Sequence, residues 1–569
     1  MRRTTLSVLS ALAILLSGMI VPEAAAQSRR DKEQTYVLEK PYEVKKLVPP
    51  TGKKIKNVIL MIGDGMSLMH MYSAWTANRG KLWLDNSQYT GLSKTYCANR
   101  LITDSGAGGT ALATGHKTNY HMVGVDPEGK PLESLATLAN KKGLSSGIAV
   151  TCRLWDATPA DFCCHNTDRD AEAEIVADYV NCGVDYVFGG GSKLFENRAD
   201  GRDLFKELRE KGYQTPRSWE ELAKIQKGKV FCVTDTVDTP LPAERGDLLA
   251  RASMKAIDLL GQNPEGFFLM VEGSKVDWAA HANDPVGMAT DMLAYDRACG
   301  AALEFARQNG ETAVIMVPDH GNSGISIGRY SCGGYDKLTK DQLFHQFSLY
   351  KLTAEGFAKK VNSEPNSEVQ NIFREYAGFE LSPEELDALN HCKDYKNSPI
   401  PESERTTEGK GSLYSGSLTS FMSKLLTSKT CFGFTTGGHT GEDVFLAAYH
   451  PDKASLPIGM HTNIELNAYL CALFGMDRDK LDELTEENFA PHTEVFEDYK
   501  CEIIPAKDEK GSPSLVVKNK KKQINITPFS NIVTIGKKGQ EEVRLNSVVV
   551  YVDKNNTFYL PTKLAEYLK

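Results

Sequence analysis

The stretch Val58-Ile-Leu-Met-Ile-Gly-Asp64-Gly65-Met66 places five consecutive apolar residues directly before a glycine and a carboxylate. A short apolar run that is bounded by glycine is typical of a strand buried on both faces of a parallel sheet. Open α/β sheets bind ligands at the carboxyl ends of their strands, which is where Asp64 falls. Asp64 is therefore either a ligand-binding residue or the cap of the following helix.

A second apolar run, Phe267-Phe-Leu-Met-Val, leads into Glu272 and is followed by Asp277 and His281. Residues four positions apart share one face of a helix, so Asp277 and His281 can bind the same metal ion. Glu272 stands at the end of its strand, as Asp64 does. Three residues of metal-binding type this close together predict a metal site in preference to a chance cluster.

Two further segments place a histidine in a comparable setting. Thr312-Ala-Val-Ile-Met-Val-Pro leads into Asp319 and His320, and the glycine-rich segment 435–443 contains His439. Each of these histidines alone could be a core or surface residue, which is how we interpret the remaining histidines. Together, the segments predict a site for more than one metal ion.

The segment Thr103-Asp-Ser-Gly-Ala-Gly-Gly-Thr-Ala-Leu-Ala-Thr-Gly115 carries a candidate nucleophile, Ser105. Its glycines allow a ligand to approach the backbone, and the N-terminus of the helix that follows favours negative charge. The run is either a tight packing turn or a device that presents the Ser105 hydroxyl to an anion. The metal-binding residue types elsewhere in the chain favour the second interpretation.

Taken in their order along the chain, these segments resemble those of the alkaline phosphatase family between roughly Lys56 and Tyr449. A further segment, Leu154-Trp-Asp-Ala-Thr158-Pro-Ala-Asp-Phe-Cys-Cys-His-Asn-Thr-Asp-Arg169, completes the resemblance. Without it, Asp156 would be read as a turn residue and Arg169 as a solvated charge. The resemblance implies that the chain hydrolyses phosphate monoesters at neutral to alkaline pH.

The resemblance also implies two zinc ions and one magnesium ion. The ligands of the first zinc would be Asp277, His281 and His439. The ligands of the second zinc would be Asp64, Ser105, Asp319 and His320. The ligands of the magnesium would be Asp64, Asp156, Thr158 and Glu272. Histidine-containing groups suit zinc, and an all-oxygen group suits magnesium.

Catalytic roles follow from the same resemblance. Ser105 would attack phosphorus and form a phosphoserine, and Arg169 would hold two phosphate oxygens with its planar guanidinium. The backbone N–H of Gly106 is expected to point at the phosphate. Trp278 stands where other forms of the family carry lysine or histidine. The metal of the third site is therefore left open, and a packing role for Trp278 is an equal alternative.

The alternation of apolar runs with helical stretches predicts an α/β fold with a doubly wound, mainly parallel sheet and helices on both faces. The predicted core comprises residues 56–322 and 435–505. Residues 323–434 are predicted as an inserted, crown-like region, because His320 and His439 flank it and must meet at one site. Within it, polar helices are predicted at 338–362, 365–377 and 383–390, and a loop rich in Ser, Thr and Gly at 406–420. Residues 506–569 are predicted as a β-rich extension that ends in a hairpin. Residues 27–55 are predicted as a surface segment.

The first 26 residues read as a secretory signal peptide, with Arg2-Arg3, an apolar stretch and Ala24-Ala-Ala26. We therefore expect a periplasmic or secreted protein without a transmembrane span after signal removal. The net charge of −8 gives no indication of a nucleic-acid-binding surface. The expected partners are small phosphorylated substrates, and the resemblance implies a homodimer. The 12 cysteines leave the pattern of disulfides open.

Two other functions are weighed against phosphomonoester hydrolysis. One is a phosphodiesterase of the same superfamily, which Arg169 disfavours because the arginine suits the doubly charged end of a monoester. The other is a non-catalytic metal- or phosphate-binding envelope protein, for which the Ser105 hydroxyl would be dispensable.

Overall fold

The computed structural model describes residues 41–47, 54–87, 89–196, 198–238, 245–393, 416–451, 457–506, 512–536 and 541–569. The predicted signal peptide lies outside the described residues, as does most of the predicted surface segment 27–55. No helix in the described ranges is long and apolar enough to cross a membrane.

A nine-stranded sheet forms the centre of the molecule. Its strands are β1 (Asn57–Ile62), β2 (Tyr89–Lys94), β3 (Ser145–Arg153), β4 (Tyr186–Gly190), β5 (Val230–Val233), β6 (Phe267–Glu272), β7 (Thr312–Val317), β12 (Val444–Tyr449) and β13 (Gly459–Thr462). Four two-residue strands that lie between β7 and β12 in the chain form two separate pairs: β8 (Gly321–Asn322), β9 (Ser326–Ile327), β10 (Phe432–Gly433) and β11 (His439–Thr440). The strand order is β13-β2-β12-β7-β1-β6-β3-β4-β5. All neighbours from β7 to β5 pair in parallel, whereas β12 runs antiparallel to β7 and β2.

The sequence of β1 explains why this sheet is covered on both faces. Every residue of the strand is buried. Ile59 and Met61 pack into one hydrophobic cluster, whereas Val58, Leu60 and Ile62 pack into the cluster on the other face. A strand with alternate side chains in two cores must be apolar at every position, which is the pattern the sequence has. The predicted α/β fold is confirmed.

Helices cover both faces of the sheet and fill the insertion. In chain order they are α1 (Leu68–Ala77), α2 (Ser105–Thr114), α3 (Leu135–Lys141), α4 (Ala157–Asp161), α5 (Glu172–Tyr179), α6 (Leu204–Glu210), α7 (Trp219–Lys224), α8 (Leu248–Leu260), α9 (Lys275–His281), α10 (Pro285–Asn309), α11 (Lys340–Ser348), α12 (Ala354–Ser363), α13 (Val369–Tyr376), α14 (Pro383–Lys393), α15 (Leu418–Ser428), α16 (Asn463–Leu473), α17 (Asp479–Asn488) and α18 (His492–Val495).

The register of the central strands brings their acidic ends together. Ile62 of β1 lies beside Glu272 of β6 on one side and beside Val317 of β7 on the other. Asp64 and Asp319 each follow two residues after these strand ends. Three acidic residues from distant parts of the chain therefore meet at one edge of the sheet, as expected for an open α/β fold.

The inserted region begins and ends at the same place on the edge of the sheet. Asn322 of β8 pairs with His439 of β11, and β9 pairs with β10 nearby. A disulfide between Cys332 and Cys431 links the two ends of the excursion. The stretch that the sequence suggested as one polar helix, 338–362, is two helices, α11 and α12. The predicted loop at 406–420 lies largely outside the described residues.

A second sheet of seven antiparallel strands follows the core. Its strands are β14 (Ala490–Pro491), β15 (Lys500–Ile504), β16 (Ser514–Lys518), β17 (Gln523–Ile526), β18 (Ser530–Ile535), β19 (Glu541–Val552) and β20 (Thr557–Leu560). The hairpin between β19 and β20 turns at Asn556, which has a left-handed backbone (φ 51°). The β-rich extension is therefore confirmed, and β14 and β15 join it from residues before 506.

Candidate active site

Ser105 is the first residue of α2, a helix whose every residue is buried. Asp104 caps this helix, since its side chain accepts a hydrogen bond from the backbone N–H of Ala107. The glycines are required by close packing rather than by unusual backbone angles. A Cβ on Gly106 would lie 2.7 Å from the carbonyl oxygen of Met122, and one on Gly108 would lie 2.9 Å from that of Asp319. The small residues let α2 reach the sheet edge.

The Ser105 hydroxyl points at the acidic strand ends. Its Oγ lies 3.1 Å from Nε2 of His320 and 3.5 Å from Oδ1 of Asp64. Ser105 is 5 % exposed, so this hydroxyl is screened from bulk water by the protein. A buried serine at a helix N-terminus, beside metal-binding residue types, is suited to interact with an anion.

The first metal-capable group consists of Asp277, His281 and His439. Nε2 of His281 lies 3.3 Å from Oδ2 of Asp277 and 3.2 Å from Nε2 of His439. The other ring nitrogen of each histidine contacts a backbone carbonyl at 2.8 Å, that of Gly437 for His281 and that of Thr103 for His439. These carbonyls orient both rings with Nε2 towards one point, as outer contacts do around metal ligands.

The second metal-capable group consists of Asp64, Asp277 and His320. Nε2 of His320 lies 3.6 Å from Oδ1 of Asp64 and 3.3 Å from Oδ2 of Asp319. That Asp319 oxygen is buried, and no described residue donates a hydrogen bond to it. A buried carboxylate oxygen in this state is expected where a cation would complete its coordination. Asp277 belongs to both groups and so joins them.

The residues of the predicted all-oxygen group line a neighbouring cavity of about 400 Å³. Asp64, Asp156, Thr158 and Glu272 line it together with Ser105 and Arg169. Within the described residues, Asp64, Asp156 and Glu272 do not form a group whose ligand atoms all lie within 4.8 Å of one another. Asp156 is instead paired with Arg153, whose Nη2 lies 2.9 Å from Asp156 Oδ1.

Arg169 is fixed beside the candidate nucleophile. Its Nη1 donates to Oδ2 of Asp104 at 2.9 Å, and its backbone N–H donates to the carbonyl oxygen of His121. Burial lowers the pKa of the Arg169 guanidinium, but the charge and hydrogen bond of Asp104, together with the charges of Asp161 and Asp64, raise it above the ordinary value. Arg169 therefore stays charged and is anchored through the residue before Ser105.

The carboxylates of the site repel one another in the absence of cations. Burial raises the pKa of Asp64, and the charges of Asp277 and Asp319 raise it further. Burial and the charge of Asp319 raise the pKa of Glu272 to about 8. Burial also raises the pKa of Asp319. So many buried acids in one place indicate a site that is built for bound cations.

The pKa values of His439 and Asp277 are lowered, whereas that of His281 is raised. Burial and the charge of His320 lower the pKa of His439 to about 4, so its ring is neutral at pH 7. The hydrogen bond with Asp277 raises the pKa of His281. Burial would raise the pKa of Asp277, but the hydrogen bond from His281 and the charge of His320 hold it below its ordinary value. Asp277 is thus ionised and His439 neutral, the forms in which both bind metals.

Removal of bound metals is expected to destabilise the protein more at pH 8 than at pH 5. The folded-state pKa of Glu272 without metal is about 8, above the ordinary value of 4.5. The folded state then binds this proton more tightly than the unfolded state. The stabilisation of the folded state by protonated Glu272 is therefore complete below pH 4.5 and is lost as the pH rises to about 8. The melting temperature of chelator-treated protein, measured at both pH values, checks this result.

The Glu272→Gln variant is the control for this experiment, because it removes the titrating proton. The melting temperature of its chelated form is expected to fall less between pH 5 and pH 8 than the melting temperature of chelated wild type. Equal losses in the two proteins would contradict the assignment to Glu272.

Several residues around the site were not singled out from the sequence. Asn322 donates to Oδ1 of Asp277 at 2.6 Å, and Ser67 donates to Glu442 at 2.7 Å. Asn322 follows His320 by two positions, and Glu442 follows His439 by three. Their closeness in sequence to predicted metal ligands could have identified both as residues near the site. Arg153 also lines the cavity, and its position near the predicted Asp156 was the corresponding signal.

Comparisons with known proteins identify the family to which the chain is similar. The alkaline phosphatase family model matches residues 55–476. Alkaline phosphatase 4 of Bacillus subtilis is 32 % identical over 418 residues, which covers 70 % of this chain and 85 % of that protein. Alkaline phosphatase of Escherichia coli is 30 % identical over 336 residues, covering 48 % and 71 %, respectively. The crystal structure of a cold-active alkaline phosphatase from Shewanella sp. aligns with a TM-score of 0.64 and 28 % identity, covering 74 % of this chain and 99 % of that one.

The chain therefore belongs to the alkaline phosphatase family. It is an enzyme of the class that hydrolyses phosphate monoesters with the help of metal ions. The family match ends before β14, so the seven-stranded sheet lies outside it.

Proposed function

We propose that this enzyme hydrolyses phosphate monoesters through a phosphoserine formed at Ser105, at neutral to alkaline pH. The observation that carries the proposal is the position of the Ser105 hydroxyl. It is buried at the start of α2, 3.1 Å from His320 Nε2, beside two metal-capable groups that share Asp277. A hydroxyl is a weak nucleophile by itself and needs such surroundings to react.

Two zinc ions and one magnesium ion are proposed as cofactors. The first zinc would be held by Asp277, His281 and His439, and the second by Asp64, Ser105, Asp319 and His320. The third position, proposed for magnesium, would use Asp64, Asp156, Thr158 and Glu272. The donors of the two zinc positions fit: the rings of His281 and His439 are oriented by backbone carbonyls, and Asp319 has a buried oxygen to offer. Bound cations supply positive charge that favours the ionised forms of a hydroxyl and of water.

The side chains divide the work on the substrate. The Ser105 oxygen attacks phosphorus while the bond from phosphorus to the substrate's alcohol oxygen breaks. Ser105 loses its proton and the departing oxygen gains one, so the products of this step are phosphoserine and the free alcohol. Arg169 binds phosphate oxygens with its planar guanidinium while Asp104 holds it in place. The backbone N–H of Gly106, in the first turn of α2, is proposed to point at the same phosphate. Water then displaces Ser105 from phosphorus, which releases phosphate and restores the hydroxyl.

The terminal phosphate of a monoester suits this site better than a diester does. A monoester offers a doubly charged group to Arg169 and to the cations, whereas a diester offers one charge and a second bulky substituent. Phosphodiesterase activity is therefore the second candidate function, after phosphomonoester hydrolysis. Small phosphorylated molecules are proposed as substrates, and export to the periplasm or cell exterior is proposed from the N-terminal segment. A homodimer is proposed from family membership.

Metal analysis combined with phosphate release tests the proposal. Protein purified without chelator is expected to contain zinc and magnesium and to hydrolyse an aryl phosphate monoester much faster than the matching diester. Chelation is expected to abolish release, and added zinc and magnesium to restore it, since several kcal/mol of transition-state stabilisation depend on the cations. A rate maximum near pH 5, or a metal-loaded protein that releases no phosphate, would contradict the proposal.

A further inference from the structure

The active-site cavity contains a second arginine for which the proposed mechanism has no role. Arg153 is the last residue of β3 and lines the cavity together with Ser105 and Arg169. Four carboxylates line the same cavity: Asp64, Asp156, Glu272 and Asp277. Among the described residues that line the cavity, Arg153 and Arg169 are the two that carry a permanent positive charge. A doubly charged phosphate that enters among four acids needs such cations around it.

Arg153 is anchored in the way that Arg169 is anchored. Each arginine pairs with the aspartate at the N-cap of a short helix, Asp104 before α2 for Arg169 and Asp156 before α4 for Arg153. One carboxylate oxygen of Asp156 accepts a hydrogen bond from Nη2 of Arg153 at 2.9 Å, and the other accepts one from Nε at 3.4 Å. The backbone N–H of Arg153 also donates to Asp156 at 3.0 Å.

Two tryptophan rings flank the guanidinium of Arg153. Its central carbon lies 5.4 Å from the ring centre of Trp155 and 5.6 Å from that of Trp278. Flat aromatic surfaces next to a guanidinium limit its movement and favour its charge. The Arg153 side chain is 38 % exposed, so it borders the open cavity. Trp278 lines the cavity but brings no charge of its own.

We propose that Arg153 is a second substrate-binding arginine, which contacts the phosphate group of the monoester from the β3 side of the cavity. A guanidinium has donors on more than one edge, so it can serve Asp156 and an anion at the same time. An ionised carboxylate likewise accepts from several directions, so Asp156 can hold Arg153 and also face a cation. This inference rests on the proposed function, and it names a residue that determines affinity for phosphate.

Phosphate binding by the metal-loaded protein tests the inference. The affinity for inorganic phosphate is measured by titration calorimetry in wild type, Arg153→Gln and Arg153→Lys, and the metal content of each protein is determined. KM and kcat for an aryl phosphate are measured in parallel. Arg374→Gln is the matched control, because Arg374 forms an exposed ion pair with Glu380 in the insertion.

Arg153→Gln is expected to weaken phosphate binding about tenfold or more, the usual scale for losing a hydrogen bond to a charged group. KM should rise by a similar factor, with metal content equal to wild type. Arg153→Lys should fall between the two, and it decides the question if Arg153→Gln fails to fold. Phosphate affinity equal to that of wild type in these variants would overturn the inference. If their metal content were altered at the same time, Arg153 would only balance the charge at the third cation position. Absence of phosphate binding and hydrolysis in wild type would overturn the proposed function itself.

Discussion

Replacement of Ser105 by alanine is expected to lower kcat by at least about 10³-fold. Loss of the nucleophile in enzymes with a covalent intermediate costs turnover on this scale or a larger one. The proposed anion contacts remain in the variant, because Arg169 is held by Asp104 and Gly106 keeps its backbone N–H. Phosphate should therefore still bind with an affinity close to that of wild type. Steady-state rates on an aryl phosphate and calorimetry with inorganic phosphate measure the two effects.

The matched control is Ser253→Ala. Ser253 is also buried, but its hydroxyl donates to the carbonyl of Leu249 within α8. The control is expected to keep turnover within about twofold of wild type, because Ser253 neither lines the cavity nor belongs to a metal-capable group. A Ser105→Ala protein that folds, binds metal and keeps its turnover would contradict the role of Ser105 and require a different nucleophile.

Replacement of Asp277 by asparagine is expected to have an effect of similar size. Asp277 is a proposed ligand of the first zinc, and its carboxylate also lies within 4.8 Å of the ligand atoms of Asp64 and His320, so a single change removes a ligand from one cation position and negative charge from beside the other. Turnover should fall about 10³-fold, since the cations supply several kcal/mol and each 1.4 kcal/mol is a factor of about ten. The variant should also retain fewer metal ions after dialysis. Elemental analysis together with rates at increasing zinc concentration measures both.

Asp258→Asn is the control for this change. Asp258 is exposed on α8 and lies outside both metal-capable groups. Its replacement is expected to leave metal content and turnover unchanged. Wild-type metal content in Asp277→Asn would show that the two groups do not bind cations through this residue.

The strand ends were predictable from sequence because their chemistry is local. The apolar runs before Asp64, Glu272 and Asp319 predict buried strands, and parallel strands of one sheet end on one edge. The spacing of Asp277 and His281 predicts one helix face, which α9 provides. Periodicity and the strand-end rule therefore account for much of the site.

Other residues depended on the resemblance or were missed. Asp156 and Arg169 follow no periodic pattern, and their roles depend on where the loops around α4 pass. Arg153 was missed because its meaning comes from its neighbours in space, Asp156 and Trp278. The predicted helix 338–362 is divided into α11 and α12 because Thr353 caps a new helix, its hydroxyl accepting from the backbone N–H of Gly356. Tyr350, in the segment between the two helices, is buried and donates to the carbonyl oxygen of Leu426. The disulfide Cys332–Cys431 could not be deduced from 12 cysteines without a fold.

Acid quenching of the enzyme during turnover tests the central claim most directly. Trypsin would then release the peptide 101–117, which contains Ser105 and is bounded by Arg100 and Lys117. Mass spectrometry is expected to find a phosphate on this peptide, located at Ser105, in wild type but not in Ser105→Ala. A wild-type enzyme that turns over rapidly while this peptide never carries phosphate, or carries it only on a threonine, would contradict the account.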